Sequence, residues 1–432
     1  MGLLSFEVDG FRNLDFTHVE TAGITAFVSP NNYGKSNLME AVAFAADFIN
    51  ASPRERDSMM AYEAGIPLSP KLALKDFYFS FEIDAPELEE YRFIRYAFSF
   101  SWIKDDGTGR RIVDERIELN SKRSGMWSSY LKRSEGQYRK SHSTRSFRSI
   151  HLDDNQLSLD VLTSIDNIDI NPAIREIKKS VFAMFEALDA SGRFSAAPIM
   201  FKPPYNPVFD YDDVPLAIQR LKSIKQDGYD RLMDALYGIF PEFENIDVLS
   251  YEVSAEAKKR LEETFEQEEE GELPFRIRDE FYRLSIKSAH LNQPLDVSRM
   301  STGTKRLIWL LTSAVMASVN TVTCMGIEEV ETSIHPRMLR QLLETLEECA
   351  DNTPVLITSH SPYLIQYLKP SQIYIGIPRD DGIASFRPIG ARAFKVLSQD
   401  AYECGMGFGE YLFELMSSDA VGAKKLARYL EG

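Results

Sequence analysis

Apolar and polar positions alternate at the start of the chain, where Glu7 separates Phe6 from Val8. A compact run, Ile24-Thr25-Ala26-Phe27-Val28, follows. This pattern predicts strand, turn and strand over Leu3 to Ser29. The period then changes: Leu38, Ala41, Val42 and Ala45 recur at helical spacing, which predicts a helix from about Lys35 to Phe48. Period two returns at Phe77, Phe79 and Phe81, then at Phe93 to Trp102 and Ile112 to Leu119, as expected of an antiparallel lobe. The middle reads as helix over Pro172 to Leu188 and Val214 to Phe240, with a break near Asp227-Gly228. An acidic helix or loop spans Ala255 to Glu272, and a strand pair Phe275 to Ile286. The last third alternates. Helix Thr304–Ser318 precedes strand Val322–Ile327, and helix Arg337–Cys349 precedes strand Val355–Thr358. A short helix, strand Ile373–Ile377 and a helical tail complete it. Such alternation implies an α/β fold, with helices packed on a parallel core sheet.

Composition narrows the function. The chain has 432 residues, 44% of them hydrophobic, which is enough for a large core. A net charge of −16 excludes a uniformly basic nucleic-acid binder and leaves room for a local basic patch. No apolar run approaches the ~20 residues of a membrane span. The N-terminus lacks a secretion pattern, and Phe6 stands where a myristoylation site needs Ser or Thr. The three cysteines, Cys324, Cys349 and Cys404, are far apart and suggest neither a disulfide framework nor a zinc site, so a cytoplasmic protein is expected. No repeat and no sustained heptad is present.

Four segments carry chemistry. Ser29-Pro30-Asn31-Asn32-Tyr33-Gly34-Lys35-Ser36-Asn37 follows an apolar strand and opens a helix, the context of a phosphate-binding loop. Backbone N–H groups and the helix N-terminus would hold the anion, with Lys35 on the β and γ phosphates and Ser36 on Mg²⁺. Glu328-Glu329 ends a strand at the edge where parallel sheets bind ligands. Glu328 could hold Mg²⁺ and Glu329 could polarise water. Ser301 and Gly303, ahead of an apolar helix, offer a second anion-binding end or a plain N-cap. His360 closes another strand.

Together these segments resemble the ABC-type ATPase head of the SMC, Rad50 and RecF group. Ser29 to Ser36 stands as Walker A, Met300 to Arg306 as the signature, and Glu328-Glu329 as Walker B. Glu331 to His335 stands as the D-loop and His360 as the switch histidine. Gly10-Phe11-Arg12-Asn13-Leu14, Asn37-Leu38-Met39-Glu40-Ala41, Phe240-Pro241-Glu242-Phe243 and Glu329-Val330-Glu331 ahead of Ile334-His335-Pro336 resemble the compact OLD-like and RecF-like ATPases. The resemblance implies ATP and Mg²⁺ as cofactors. It implies catalytic roles for Glu329 and His360, metal ligation by Ser36 and Glu328, and ATP binding by Arg12, Asn31, Asn32, Gly34, Lys35, Ser36, Asn37, Ser301 and Gly303. It also implies a homodimer closed around ATP and a division into an N-terminal lobe (1–120), an insertion (121–290) and a C-terminal lobe (291–432). Three departures stand out: Ser29 replaces Gly, Glu328 replaces Asp, and no Gln occurs between Ser36 and Gln137, so the Q-loop has no assigned place and Gln137 and Gln156 are no more than candidates.

Lys122 to Arg148 gathers eight cations against Glu135, with Trp127, Tyr130, Tyr138 and Phe147 interleaved. It is a candidate surface for DNA or an acidic partner, or else a solvated loop. The acidic run Glu262 to Glu272 reads as a solvated face, and no TOPRIM-like acid cluster follows His360. The main expectation is an ATP-driven switch, of the kind that controls a separate nuclease or toxin effector in Septu- or PARIS-type anti-phage defence. The alternatives are a RecF-like repair ATPase and an ATP-binding scaffold with little hydrolysis.

Overall fold

The computed structural model describes the chain apart from residues 1, 68, 105, 142–145, 166–167, 186–189, 195–198, 202–212, 267–274, 377–378, 380, 418–421, 423–424 and 428–432. It forms two compact units. The first comprises Met1–Ala187, Thr321–Val330 and Asn352–Gly432; the second comprises Leu188–Asn320 and Glu331–Asp351.

The first unit contains a six-stranded sheet. Its order is Phe182–Phe185, Cys324–Ile327, Val355–Ser359, Ile24–Val28, Ile373–Gly376 and Phe386–Pro388. The first five strands are parallel and the last is antiparallel. Every residue of Ile24–Val28, Cys324–Ile327, Val355–Ser359 and Ile373–Gly376 is buried, so these strands are apolar runs without alternation. The second sheet of this unit has eight antiparallel strands. Its order is Thr17–Glu20, Gly2–Asp9, Phe77–Asp84, Phe93–Ser101, Arg111–Asn120, Ser128–Lys132, Gln137–Tyr138 and Arg148–Ser149. Burial alternates along Phe93–Ser101, as it must when only one face is covered.

Helix Lys35–Asn50 packs against both sheets. Phe48 stacks on Phe98 and Phe100 at 5.1 and 4.8 Å between ring centroids, and Phe44 meets Phe77 at 5.4 Å. On the parallel side, a Cβ on Gly326 would lie 2.5 Å from Met39 Cε. Burying each such aromatic contributes about 1.5–3 kcal/mol. The C-terminal end of this helix is closed by the fully buried Arg56. Its Nε and Nη2 donate to the Phe48 and Ile49 carbonyls at 2.9 and 3.0 Å, and its Nη1 donates to Asp160 at 2.5 Å. Burial by itself would raise the Asp160 carboxyl; bonds from Arg56 and Lys178 outweigh it and hold the group below its ordinary value.

The second unit is built from helices Val214–Ile224, Gln226–Ile239, Thr302–Val319 and Leu339–Ala350. A three-stranded antiparallel sheet accompanies them: Phe243–Glu252, Glu280–Ser288 and Leu295–Asp296. Helix Thr302–Val319 is buried continuously from Lys305 to Ala317. Gly228 brings a neighbouring helix close, since a Cβ there would lie 2.7 Å from Val319 Cγ2.

Several local expectations change. The stretch read as one helix from Pro172 divides into helix Asn171–Lys179 and strand Phe182–Phe185, because that strand completes the parallel ladder. Phe275–Ile277 and Glu280–Ser288 do not pair with each other; the first pairs with Ile199–Phe201 and the second with Phe243–Glu252. The helix break falls at Lys225, between Val214–Ile224 and Gln226–Ile239. Strands Ser128–Lys132, Gln137–Tyr138 and Arg148–Ser149 of the basic segment join the antiparallel sheet, where Ser128–Lys132 pairs with Arg111–Asn120. Ile377, Arg145 and residues 267–272 lie outside the described residues.

Arg56→Met should destabilise the protein by about 3–5 kcal/mol, because it uncovers two carbonyls and leaves Asp160 beside Lys178 alone. Asp160 is depressed in the folded state, so the wild-type advantage holds above the ordinary pKa of 3.8 and shrinks as pH falls below it. Urea unfolding at pH 7 and below pH 4 measures both; equal stability of the two proteins at pH 7 would contradict this account.

Candidate functional site

The chain leaves strand Ile24–Val28 at Ser29 and enters helix Lys35–Asn50 through a tight turn. Asn32 has φ 59° and Gly34 has φ 104°, both left-handed. Gly34 is also sterically fixed, since a Cβ there would lie 2.8 Å from Ala384 Cβ and 3.1 Å from Asn13 Oδ1. No side chain caps the first turn of the helix and no acid occupies it, so nothing competes with an anion for that positive end. Lys35 is buried within the turn. Its ammonium donates to the Ser29 and Pro30 carbonyls at 2.8 and 3.0 Å and to Ser29 Oγ at 3.3 Å. Ser36, Asn31 and Asn32 are exposed beside it. This donor set, a left-handed turn, a helix N-terminus and a lysine, fits a polyphosphate.

Ser29 departs from the usual glycine without strain, because its backbone is not left-handed. The space for its side chain comes from Gly376, where a Cβ would lie 2.8 Å from Ser29 Cβ. Asn37 Nδ2 donates to Asn13 Oδ1 at 2.7 Å, and Asn13 Nδ2 donates to the Gly382 carbonyl at 3.0 Å. Tyr33 donates from its hydroxyl to the Ile383 carbonyl at 2.9 Å, and burial raises its phenol far above the ordinary value. Arg12 lies beside the same helix turn. Its guanidinium bonds Asn37 Oδ1 at 2.9 Å, the Ala64 carbonyl at 2.7 Å and Glu40 at 2.5 Å. These contacts use one N–H on each of the three guanidinium nitrogens.

The acid pair follows strand Cys324–Ile327. The Glu328 amide donates to the Phe185 carbonyl at 2.8 Å, and the Glu329 amide donates to Thr358 Oγ1 at 3.0 Å. Glu329 has φ 45°, a sparsely populated conformation for a non-glycine residue. Strand Val355–Ser359 runs between the loop strand and the acid strand, and His360 leaves its carboxyl end. Burial lowers the His360 imidazole below its ordinary 6.5, the Lys35 cation lowers it further, and the Glu329 carboxylate partly restores it. The turn that carries Lys35, the acid pair and His360 follow the carboxyl ends of three adjacent parallel strands. Glu328, Glu329 and His360 are all half-buried, with chemistry still open to solvent.

Ser301 and Gly303 belong to the second unit. Ser301 is the N-cap of helix Thr302–Val319, and its hydroxyl accepts from the Thr304 amide at 3.1 Å. Gly303 lies against the chain near Ser333, since a Cβ there would come within 2.6 Å of the Ser333 carbonyl oxygen. His335 caps the turn Pro336–Met338 by accepting from the Arg337 amide at 3.2 Å.

The family described as "AAA domain, putative AbiEii toxin, Type IV TA system" matches residues 24–366. The chain belongs to this AAA family. Similar solved structures include an SMC head bound to the C-winged helix domain of ScpA, at 12% identity and TM-score 0.49, covering 91% of this chain and 100% of that one. The SMC head domain from Thermotoga maritima is similar at 13% identity and TM-score 0.43, with 90% and 100% covered. RecF from the RecFOR pathway is similar at 14% identity and TM-score 0.42, with 89% and 97% covered. No curated protein matches the sequence.

Other sequence-predicted features fall elsewhere. Gln137 and Gln156 lie at the outer edge of the antiparallel sheet, where Gln137 pairs with Lys132 and the Gln156 carbonyl accepts from Arg133. In the basic segment, Tyr130 and Tyr138 are buried and cannot stack on bases. Arg123 is paired with Glu20 and Glu82, and Arg133 with Glu115. A cavity of about 350 Å³ on the antiparallel sheet contains Glu7, His18, Glu20, Glu82 and Arg95, whose charges pair within this sheet. Asn13, Thr358 and Gly376 were not singled out from sequence as site residues. Only the left-handed turn and the buried strand end show what they do.

In the nucleotide-free protein, NMR titration of His360 should give a midpoint below 6.5. Lys35→Met should raise that midpoint and Glu329→Gln should lower it further, since one removes a cation and the other a carboxylate. A midpoint that responds to neither substitution would separate the three residues.

Proposed function

We propose that this AAA-family chain is an ATP-driven switch, a reading carried by the emergence of the phosphate turn, the acid pair and His360 from the carboxyl ends of three adjacent parallel strands. Lys35 and the helix N-terminus bind the phosphates, with Asn31, Asn32, Gly34 and Asn37 shaping the turn. Ser36 and Glu328 hold Mg²⁺, which neutralises phosphate charge when bound. Glu329 orients the attacking water, and a neutral His360 donates its ring N–H to the phosphate edge without adding charge. Ser301 and Gly303 meet the nucleotide of a second copy, so ATP closes a homodimer. Arg12, beside the same helix turn, joins the phosphates. Because closed and open states differ in ATP contacts, hydrolysis shifts the population between them. The output is control of a separate nuclease or toxin effector in anti-phage defence. The toxin–antitoxin description of the family is in keeping with such an output.

Lys35→Ala should abolish tight ATP binding by calorimetry in a folded protein. Glu329→Gln should keep ATP binding, lower phosphate release by about 10²–10⁴-fold and accumulate the dimer in light scattering. Ser301→Arg should prevent closure while each subunit still binds ATP. If wild type turns over ATP and Glu329→Gln changes neither rate nor oligomer size, the catalytic assignment fails.

A further inference from the structure

The ladder between the acid strand and its neighbour ends at the pair Ile327 and Ile357. Past that point the Glu328 amide still bonds Phe185 on the other side, but no ladder pair joins the acids to this strand. Thr358 takes over with two groups. Its hydroxyl oxygen accepts from the Glu329 amide at 3.0 Å, and its carbonyl accepts from the Val330 amide at 3.4 Å. The peptide it grips is the one with φ 45° at Glu329. A non-glycine residue stays in that conformation only where its surroundings over-determine it. Thr358 is 2% exposed, so water does not substitute easily for its hydroxyl. One residue on, Ser359 Oγ accepts from the Ser361 amide at 3.0 Å and fixes the turn that carries His360. The end of one strand therefore sets both Glu329 and His360.

We infer that Thr358 is a positioning residue for hydrolysis, acting by anchoring the left-handed backbone of Glu329 through its side-chain oxygen. The inference rests on the reading of Glu329 as the water-orienting carboxylate. A competing role is simple packing of a β-branched residue in a buried strand. Valine and serine separate the two, because Val keeps the shape without the acceptor and Ser keeps the acceptor without the methyl group.

The experiment uses the full chain and compares wild type, Thr358→Val and Thr358→Ser. Phosphate release should show Thr358→Val with kcat lowered about 10–100-fold and KM for ATP unchanged. Thr358→Ser should stay within about threefold of wild type. A packing role predicts the reverse order, with Ser the more damaging and its loss tracking thermal stability. Amide hydrogen exchange at Glu329 in nucleotide-free protein is the second arm; it should be faster in Thr358→Val and unchanged in Thr358→Ser. A Val variant with wild-type kcat overturns the inference. Absence of turnover in wild type defeats the hydrolytic reading, and equal exchange at Glu329 in all three proteins then overturns the anchor itself.

Discussion

Strand Val355–Ser359 pairs in parallel with Ile24–Val28 on one side and with Cys324–Ile327 on the other. The site depends on this double pairing. Ile24–Val28 delivers the phosphate-binding turn, Cys324–Ile327 delivers the acid pair, and the strand between them ends in His360. Parallel strands end on the same side of a sheet, so three segments remote in sequence emerge together. The loop strand and the acid strand are then two strand widths apart, about 9–10 Å.

Aromatic packing holds helix Lys35–Asn50 against the antiparallel sheet. Phe44 and Phe48 interlock with Phe77, Phe98, Phe100 and Trp102 of the antiparallel sheet. Arg56 seals the far end of the same helix with charge-assisted bonds. Both act away from the phosphate turn, where the helix N-terminus has no side-chain cap and no acid in its first turn. A rigid helix with an uncapped first turn is the condition for a preorganised anion site.

The elements with strong periodicity were legible in the sequence. Helix Lys35–Asn50, the antiparallel strands between Phe77 and Asn120 and the alternating last third all fall where the pattern placed them. Strand Phe182–Phe185 was not legible, because its four residues continue an apolar helix and only tertiary pairing makes them a strand. The basic segment was legible only in part. Its spacing showed charges and rings but not that Tyr130 and Tyr138 point into the core while Arg123 answers Glu20 and Glu82. In the site, the motif residues were visible and their supports were not. Thr358 looks like any strand threonine until the φ of Glu329 is known.

Ser29 shows how such supports make a departure from a motif tolerable. A serine in place of glycine at the head of a phosphate turn raises two separate concerns: backbone strain and lack of room. The first does not arise, since the left-handed positions are Asn32 and Gly34, further along the turn. The second is met from another strand, because Gly376 offers no Cβ where Ser29 needs space, and Phe386 and Tyr33 close the remainder of that pocket at 2.9 and 3.0 Å from where one would sit. The glycine has in effect moved across the sheet, from the turn to the neighbouring strand. What the turn gains is a hydroxyl that accepts from Lys35 and donates to the Pro30 carbonyl at 3.2 Å. The lysine of this chain therefore rests on one more side-chain partner than a glycine could offer. Binding of phosphate must exchange those bonds for stronger ones to a charged group.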